Sequence, residues 1–365
     1  MSIYLDYSAT TPLSAAALSA FTAAAGLVGN PHSSHPFGVA AAARLDGEKA
    51  GILARFSGAE GCELILTGSG SAANNLAVLG IADAYRGFGR HILTTPLEHP
   101  SVGGALARLA AAGYETEPLR ILRDGKIDLD DLAARVRQDT VLVCVSAADA
   151  VLGALQPVAR IAAVLKAAAP YGHLHVDGAQ AVGKMSCDLT GADTFSFTAH
   201  KLYAPAGLGL LIRRPDTVLT PLVHGYGIHA GTPSVPLAAA CRAALDALCL
   251  DLTAHTAVVR RHRARILEFA AKNPQIQINS PADGLPHIVN VGVEGYTGRQ
   301  MQQRLAARGV MVSVQSACSN PAHPAPAVTA LGYDRKRAAG AFRISLSHLT
   351  TDEEVRTLLN LLIEK

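Results

Sequence analysis

The chain has 365 residues, of which 49% are hydrophobic, and its formal net charge at pH 7 is +3. Lys and Arg are interspersed with Asp and Glu, so the charge pattern predicts neither a nucleic-acid partner nor an anionic-membrane partner. We expect a soluble globular protein with one large and one smaller domain that acts on a small molecule or on another protein.

The amino terminus, MSIYLDYSATTP, has neither a basic start nor a long apolar run and predicts no secretory signal. The most apolar windows are interrupted before the roughly 18 apolar residues that a membrane span needs. We therefore expect a cytoplasmic protein. The six cysteines form no CxxC pair and no cluster at zinc-ligand spacing, so we predict neither a disulfide framework nor a metal site.

Short apolar and β-branched runs alternate with longer Ala/Leu/Arg stretches in the first two thirds of the chain. The runs lie at 62–67, 91–95, 140–146, 173–177, 194–198 and 209–213. This alternation is typical of βαβ units. Several runs are apolar on successive residues, as in strands that helices cover on both faces. The pattern predicts a mostly parallel α/β sheet.

The pattern changes near residue 235, where a long helical stretch begins and continues to residue 272. It is followed by the strand-like HIVNVGV, a helix near 298–308, the strand-like MVSV and AFRISL, and a terminal helix from Asp352. This order predicts a smaller α+β domain joined by a long helix. We place the large domain at 13–245 and the smaller domain at 1–12 and 246–365.

The segment TGSGSAANN, residues 67–75, follows the first of the predicted strands. Gly68 and Gly70 allow a tight turn, and Ser71 is predicted to begin a helix whose unpaired amides would bind an anion such as phosphate. Taken alone, a Gly/Ser turn that merely caps a helix is the commoner explanation of such a segment.

Three later segments place polar residues at strand ends, where open α/β sheets bind ligands. LEHPS contains His99, an acid/base or aromatic-platform candidate that could equally be structural; HLHVDGAQ ends a strand with Asp177; and FTAHKLYAPAG contains Lys201. A lysine in so apolar a stretch either extends to solvent or is not a free ammonium. Pyridoxal phosphate (PLP) enzymes need an acid for the pyridine nitrogen, an imine-forming lysine and a helix start for the phosphate, so this set predicts a PLP site.

Nine motifs in this order and at these spacings resemble the cysteine desulfurases of the class V aminotransferase superfamily, nearest the branch with a Ser-Ala-Cys-Ser loop. They are YLDYSATTP, GNPHSSHPFG, LTGSGSAANN, EHPSV, LGALQP, HVDGAQAVGK, TAHKLYAPAGLG, SVQSACSN and FRISLSHLTTDEEV. The resemblance covers nearly the whole chain. It implies a fold-type I PLP-dependent transferase with a mostly parallel seven-stranded sheet.

Matched position by position, the resemblance implies roles for the cofactor residues. Lys201 would form the Schiff base, Asp177 would contact the pyridinium nitrogen, Gln180 the ring hydroxyl, and His99 would stack on the ring. The phosphate would be held by Gly70, Ser71, Thr198 and His200, with Thr232 reaching it from the other subunit. The resemblance thus implies a homodimer with shared active sites.

The resemblance also implies how the substrate, L-cysteine, is bound and converted to L-alanine. Arg343 would grip the substrate carboxylate, with Asn30 as a second substrate-binding residue. Cys318 would take the sulfur as a persulfide and pass it to an acceptor protein of unknown identity. Without the family match, Cys318 would be interpreted as a surface-loop cysteine of no consequence.

This chain departs from the family pattern at several positions near the implied site. They are Ala72, Asp149, Ala150, Val151, His229 and a loop after Cys318 that is about one residue shorter, with prolines at 321, 324 and 326. Two alternatives therefore stay open. One is a PLP-dependent C–S or C–Se lyase that acts on a cysteine derivative without a protein persulfide; the other is a noncatalytic scaffold.

Overall fold

A computed structural model describes residues 2–225, 227–228, 231–314 and 325–364. Its strands are β1 Ile3–Tyr4, β2 Glu63–Thr67, β3 His91–Thr94, β4 Glu115–Pro118, β5 Thr140–Ser146, β6 His173–Asp177, β7 Thr194–Thr198, β8 Gly209–Arg213, β9 Ile276–Ile278, β10 Ile288–Val293, β11 Val310–Met311 and β12 Ala341–Ser345. Its α-helices are α1 Ala15–Ala25, α2 Pro36–Leu53, α3 Gly70–Ala84, α4 Pro100–Ala111, α5 Leu129–Arg135, α6 Val158–Ala168, α7 Val235–Leu250, α8 Leu252–Lys272, α9 Gly298–Ala307, α10 Pro326–Ala330, α11 Arg335–Gly340 and α12 Asp352–Ile363.

The large sheet has seven strands in the order β2-β8-β7-β6-β5-β3-β4. Strand β8 is antiparallel to both of its neighbours, and the other neighbours are parallel. The predicted mostly parallel, seven-stranded α/β sheet is therefore confirmed. Every residue of β5, β6 and β7 is buried. This burial explains why β5, TVLVCVS, is apolar on successive residues instead of alternating.

Strand topology brings several strand ends to one edge of the sheet. Because β5, β6 and β7 are parallel neighbours, their last residues, Ser146, Asp177 and Thr198, lie at the same edge. Gly209, the first residue of the antiparallel β8, pairs with both Thr198 and Thr67, so β2 ends at this edge as well. The segments that follow β2, β6 and β7 therefore start close together.

The carboxyl-terminal part of the chain has its own sheets and its own buried cluster. β10 pairs with β9 and β12 in an antiparallel sheet, and β11 pairs with the amino-terminal β1. One cluster of buried apolar side chains combines Leu5 with residues from Val259 to Leu362. A smaller α+β unit was predicted here, and its boundaries at 1–12 and 246–365 stay a prediction.

Three details of the sequence-based element assignment were wrong or incomplete. The single long helix predicted after residue 235 is two helices, because Asp251 leaves helical geometry between α7 and α8 with φ −112° and ψ 20°. The edge strand β4 was missed because ETEP contains no apolar run. Of the predicted strand MVSV, Met311 belongs to β11 and Ser313 forms an isolated bridge with Arg343.

No helix in the described part of the chain has the length and apolar character needed to cross a membrane.

Candidate active site

A cavity of about 310 Å³ lies at the shared edge of the strand ends. Residues from seven separated segments line it, and they include most of the residues singled out from the sequence. These lining residues are Gly70, Ser71, His99, Asp177, Gln180, Thr198, His200, Lys201 and Arg343. Lys201 and Asp177 thus face the same space, as a PLP site requires.

The amino terminus of α3 forms one wall of the cavity. Ser69 is the N-cap, and its hydroxyl accepts a hydrogen bond of 3.1 Å from the Ala72 amide. The helix therefore begins at Gly70, one residue earlier than predicted, and its first amides are unpaired in the helix and point toward its end. A Cβ at residue 70 would lie 3.1 Å from the Thr198 Cβ, so glycine keeps this wall open. Exposed amides and the helix dipole together suit a phosphate.

Asp177 presents a carboxylate at the end of β6, where it is 6% exposed. Its Oδ1 accepts a hydrogen bond of 2.9 Å from the Ala179 amide, and its Oδ2 accepts one of 2.8 Å from the Asn74 side chain. The carboxylate has lone pairs left for a further donor. A protonated ring nitrogen in the cavity would supply that donor.

Asn74 is a site residue that the sequence analysis missed. Besides Asp177, its amide nitrogen donates to the Ser101 hydroxyl at 2.9 Å, and its oxygen contacts His175 Nε2 at 3.2 Å and accepts from the Ser196 hydroxyl. The sequence signal that could have found it is the position of Asn74 in TGSGSAANN, one turn after the start of the predicted helix. A side chain at that position lies near the same sheet edge as the helix start. The network fixes where the Asp177 carboxylate points.

His99 is the N-cap of α4, and its ring lies on the cavity wall. Its Nδ1 accepts a hydrogen bond of 3.1 Å from the Ser101 amide and lies 2.7 Å from the Ser101 hydroxyl. Because Nδ1 is an acceptor, the proton of the neutral ring sits on Nε2. Burial, opposed by Asp177 and assisted by Lys201, lowers the pKa of His99. The imidazole is thus neutral near pH 7, with its N–H and ring face available to a ligand.

Lys201 ends a short 3₁₀ turn, Ala199–Lys201, directly after β7. The amino-terminal segment holds this turn: the Thr11 amide and hydroxyl both donate to the His200 carbonyl, at 2.9 and 2.8 Å. The Thr11 hydroxyl also accepts a hydrogen bond of 2.7 Å from the amide of Tyr203. The backbone φ of Tyr203 is 60°, which is rare for a residue with a side chain. His200 Nδ1 contacts the Thr10 hydroxyl at 3.1 Å. The amino-terminal segment therefore holds the turn that carries Lys201, through contacts to the residue before the lysine and to Tyr203 after it.

Arg343, on β12, also lines the cavity and is 1% exposed. Its guanidinium donates to Asp6 at 2.7 Å and to the Ala150 carbonyl at 2.8 Å. The buried Nε has no hydrogen-bond partner among the described atoms. Since a buried N–H without a partner is costly, this group suits a ligand carboxylate.

The departures at 149–151 have a local structural explanation. Asp149 Oδ2 accepts hydrogen bonds from the amides of Val151, at 3.1 Å, and of Leu152. Burial raises the pKa of Asp149 to about 6, despite these bonds and the nearby Arg343. Asp149 thus closes the turn, and Ala150 brings a methyl group to the cavity while its carbonyl holds Arg343.

Not every predicted site residue lies in this cavity. Asn30 and Thr232 are exposed and lie outside the lining; the Asn30 amide donates to the Thr232 hydroxyl at 3.3 Å. Cys318 and His229 lie outside the described residues, as do Pro321 and Pro324.

A family model for class V aminotransferases matches residues 3–358. The chain belongs to the aminotransferase class-V family. The NifS/IcsS protein homolog of Lactobacillus delbrueckii subsp. bulgaricus is 32% identical over 363 residues, which cover 96% of this chain and 94% of the relative. Cysteine desulfurase IscS of Photorhabdus laumondii subsp. laumondii is 32% identical over 374 residues, which cover 99% and 91%.

A solved structure of a NifS-like protein superimposes with a TM-score of 0.91 at 27% identity, covering 99% of this chain and 98% of the other. The predicted resemblance to class V cysteine desulfurases is therefore confirmed. The assignment to the branch with the Ser-Ala-Cys-Ser loop stays a prediction.

The cofactor of class V aminotransferases is PLP, as the sequence predicted, and three observations of the cavity fit it. The open start of α3 beside Gly70 matches the phosphate. The Asp177 carboxylate, held by Asn74, matches a protonated ring nitrogen. Lys201 is fixed on the same cavity and matches the aldehyde.

Proposed function

We propose that this class V protein is a PLP-dependent cysteine desulfurase that converts L-cysteine to L-alanine. The observation that carries the proposal is the convergence of Lys201, Asp177 and Arg343 on one cavity. Relatives at 32–33% identity over almost the whole chain that bear the name cysteine desulfurase support it. The sulfur leaves the substrate and becomes the outer sulfur of a persulfide on Cys318, so L-cysteine and one thiol give L-alanine and one persulfide.

Several residues that line the cavity have a role in this reaction. PLP, when bound, supplies an electron sink for the bonds at the substrate Cα. Asp177 holds the proton on the ring nitrogen through a charge-assisted hydrogen bond. Arg343 binds the substrate carboxylate and so fixes which end of the cavity receives the sulfur-bearing side chain. Gly70, Ser71, Thr198 and His200 surround the phosphate position.

Two groups move protons. The Lys201 amine takes the proton from the substrate Cα, because a lysine in its neutral form is an effective base. The His99 imidazole is neutral and carries its proton on Nε2, and it exchanges a proton with the substrate thiol. The thiolate of Cys318 then attacks the substrate sulfur, as the resemblance implies for this position.

We further propose a homodimer in which Thr232 reaches the phosphate of the partner's site. Thr232 is exposed and does not line the cavity of its own chain, which supports this role. Several large apolar side chains of the described chain are at least half exposed, which suits burial against a second copy. They are Leu18, Val28, Phe37, Val39 and Val223. A cytoplasmic location is part of the same proposal.

One observation favours a second candidate, a PLP-dependent C–S or C–Se lyase that needs no protein thiol. The Ala150 side chain offers no hydrogen-bond donor, and its carbonyl is already bonded to Arg343. A site with fewer polar contacts around the substrate side chain accepts a substituted sulfur more readily.

The deciding experiment measures alanine formed from L-cysteine, with mass spectrometry for a persulfide on Cys318. We expect Cys318→Ser to abolish both signals, because no thiol is left to take the sulfur. Cys62→Ser, at a half-buried cysteine outside the cavity, is the matched control and keeps full activity. Undiminished turnover in Cys318→Ser would establish the lyase. A protein that stays colourless with PLP and shows no change on Lys201→Ala would be a scaffold.

A further inference from the structure

Lys184 is a buried lysine that the proposed reaction does not use. It is 7% exposed and lies seven residues after Asp177, in the segment HVDGAQAVGK. No carboxylate forms an ion pair with it in the part of the chain that the structure describes. Burial, together with Lys201 and Arg343, lowers the pKa of Lys184 to about 7. Such a group is costly to bury, so its contacts point to a role.

The polar contact of the Lys184 side chain is with a cavity residue. Its Nζ donates a hydrogen bond of 3.1 Å to Oε1 of Gln180, which is 3% exposed. The nitrogen of the same amide, Nε2, donates a hydrogen bond of 3.0 Å to the carbonyl of Ser8. Ser8 is itself tied to β12, since its amide donates to the Ser345 hydroxyl at 3.0 Å.

These two contacts determine which way round the Gln180 amide lies. The Ser8 carbonyl can only accept a hydrogen bond, and the Lys184 Nζ donates one to the Gln180 oxygen. Turning the amide over would place oxygen against the Ser8 carbonyl and N–H against the lysine, and both bonds would be lost. An amide nitrogen has two N–H groups, and the Ser8 carbonyl takes one of them. The second Nε2–H is left for the cavity that Gln180 lines.

We propose that Lys184 is a positioning residue that fixes the Gln180 amide so that it presents an N–H donor, and not an oxygen, to the bound cofactor. The inference rests on the proposed function. The group that accepts the hydrogen bond from Gln180 would be an anionic ring oxygen of the cofactor. Without Lys184, the Gln180 oxygen loses its partner, and one of the two hydrogen bonds that set the orientation of the amide is gone. In the turned-over orientation, the amide oxygen would face the anionic ring oxygen of the cofactor and repel it.

The test compares two probes on the full-length apoprotein: PLP, and an analogue that lacks only the ring hydroxyl. Lys184→Met removes the donor with little change in volume, and we expect it to raise the dissociation constant for PLP by about fivefold to tenfold, the loss of roughly one hydrogen bond. The dissociation constant for the analogue stays unchanged. Lys184→Arg, which keeps a donor, restores most of the PLP affinity. Lys166→Met, at a half-exposed lysine outside the cavity, is the matched control.

Two further variants separate positioning from general damage to the fold. Gln180→Glu keeps a partner for Lys184 but removes the N–H, so it weakens PLP and spares the analogue. In a Gln180→Ala background, Lys184→Met has no additional effect, because the amide on which it acts is gone. Equal weakening of both probes, or additive effects in the double variant, overturns the inference. A wild-type protein that binds neither probe overturns the proposed function itself.

Discussion

The side-chain amide of Asn74 lies 2.8 Å from the carboxylate of Asp177, and both groups are buried. The same asparagine contacts Ser101, His175 and Ser196, so one residue of α3 ties together polar groups from β6, β7 and α4. A buried network of this kind is stabilising while every member is paired, and it is costly once a member is removed. Asn74 therefore links the stability of the sheet edge to the direction in which Asp177 points.

We predict that Asn74→Ala weakens PLP binding about tenfold or more, as expected for the loss of a hydrogen bond to a charged group. The melting temperature should fall as well, since His175 and Ser196 lose a buried partner. Titration of the apoprotein with PLP and thermal unfolding measure the two effects. Asn75→Ala is the matched control, because Asn75 bonds the Ser71 and Ser101 carbonyls and not Asp177. The prediction fails if both variants lose the same affinity.

Glu98 provides a prediction about stability and pH. Burial raises the pKa of its carboxyl to about 8, although Thr95 and Ser146 donate hydrogen bonds that oppose the shift, and nearby Asp177 raises it further. The folded protein thus keeps a proton on Glu98 that the unfolded chain loses above pH 4.5. Because the unfolded state binds fewer protons in this window, the free energy of unfolding should fall as pH rises from about 4.5 to about 8.

The variant Glu98→Gln tests this sign. Its amide nitrogen can replace Oε2 and donate to the Ser146 hydroxyl, so the contacts are kept while the titration disappears. The free energies of unfolding from urea titrations at pH 5 and pH 8 should differ less in the variant than in the wild type, by on the order of 1 kcal/mol for each pKa unit of the shift that is removed. Glu294→Gln, at an exposed carboxylate, should retain the wild-type pH dependence. A wild-type difference that survives in Glu98→Gln would contradict the assignment.

The sequence predicted the parts of the fold that are written as local patterns. Continuous apolar runs such as 140–146 predicted β5, because a strand covered on both faces favours apolar residues at successive positions. Lys201 and Asp177 could be selected because each places a charge in an apolar context. The edge strand β4 was missed for the converse reason, since its pairing with β3, and not its composition, makes ETEP a strand.

The contacts around the site depend on residues far apart in the chain and carry no local signal. Thr11 holds the turn of Lys201 across about 190 positions, and Asp6 pairs with Arg343 across 337. Lys184 contacts Gln180 four residues away, yet the role of that contact is evident only from the cavity that Gln180 lines. Sequence motifs thus identify the groups that face the ligand better than the groups that orient them.

For His99 we predict a loss of turnover with a changed pH profile. Burial lowers its pKa below the ordinary 6.5, so the neutral ring persists into mildly acidic solution and the acidic limb of kcat/KM should lie below that value. His99→Gln keeps a polar group but cannot exchange a proton, and kcat should fall about a hundredfold or more. Ser101→Ala keeps the amide bond to Nδ1 and removes the hydroxyl contact, so its effect should be milder. An unchanged acidic limb in His99→Gln would exclude the histidine as the titrating group.

Arg343 gives a prediction about substrate affinity. Its side chain is held by Asp6 and the Ala150 carbonyl, and its Nε is available for the substrate carboxylate. Arg343→Lys keeps the charge and loses the planar fork, so KM for L-cysteine should rise about tenfold to a hundredfold, as for the loss of a charge-assisted bond. Because the fork binds the carboxylate in the ground state and in the transition state alike, kcat should change much less than KM.

Inhibition by L-alanine provides an independent measure of the same contact, because the product has the same carboxylate and lacks the sulfur. Its inhibition constant should rise in Arg343→Lys by about the same factor as KM. Arg356→Lys is the matched control, since Arg356 is exposed and pairs with Glu353 at the surface of α12. If KM rose while alanine inhibition stayed at the wild-type level, Arg343 would be acting on the sulfur-bearing side chain instead of the carboxylate, and the orientation of substrate in the cavity would have to be reversed.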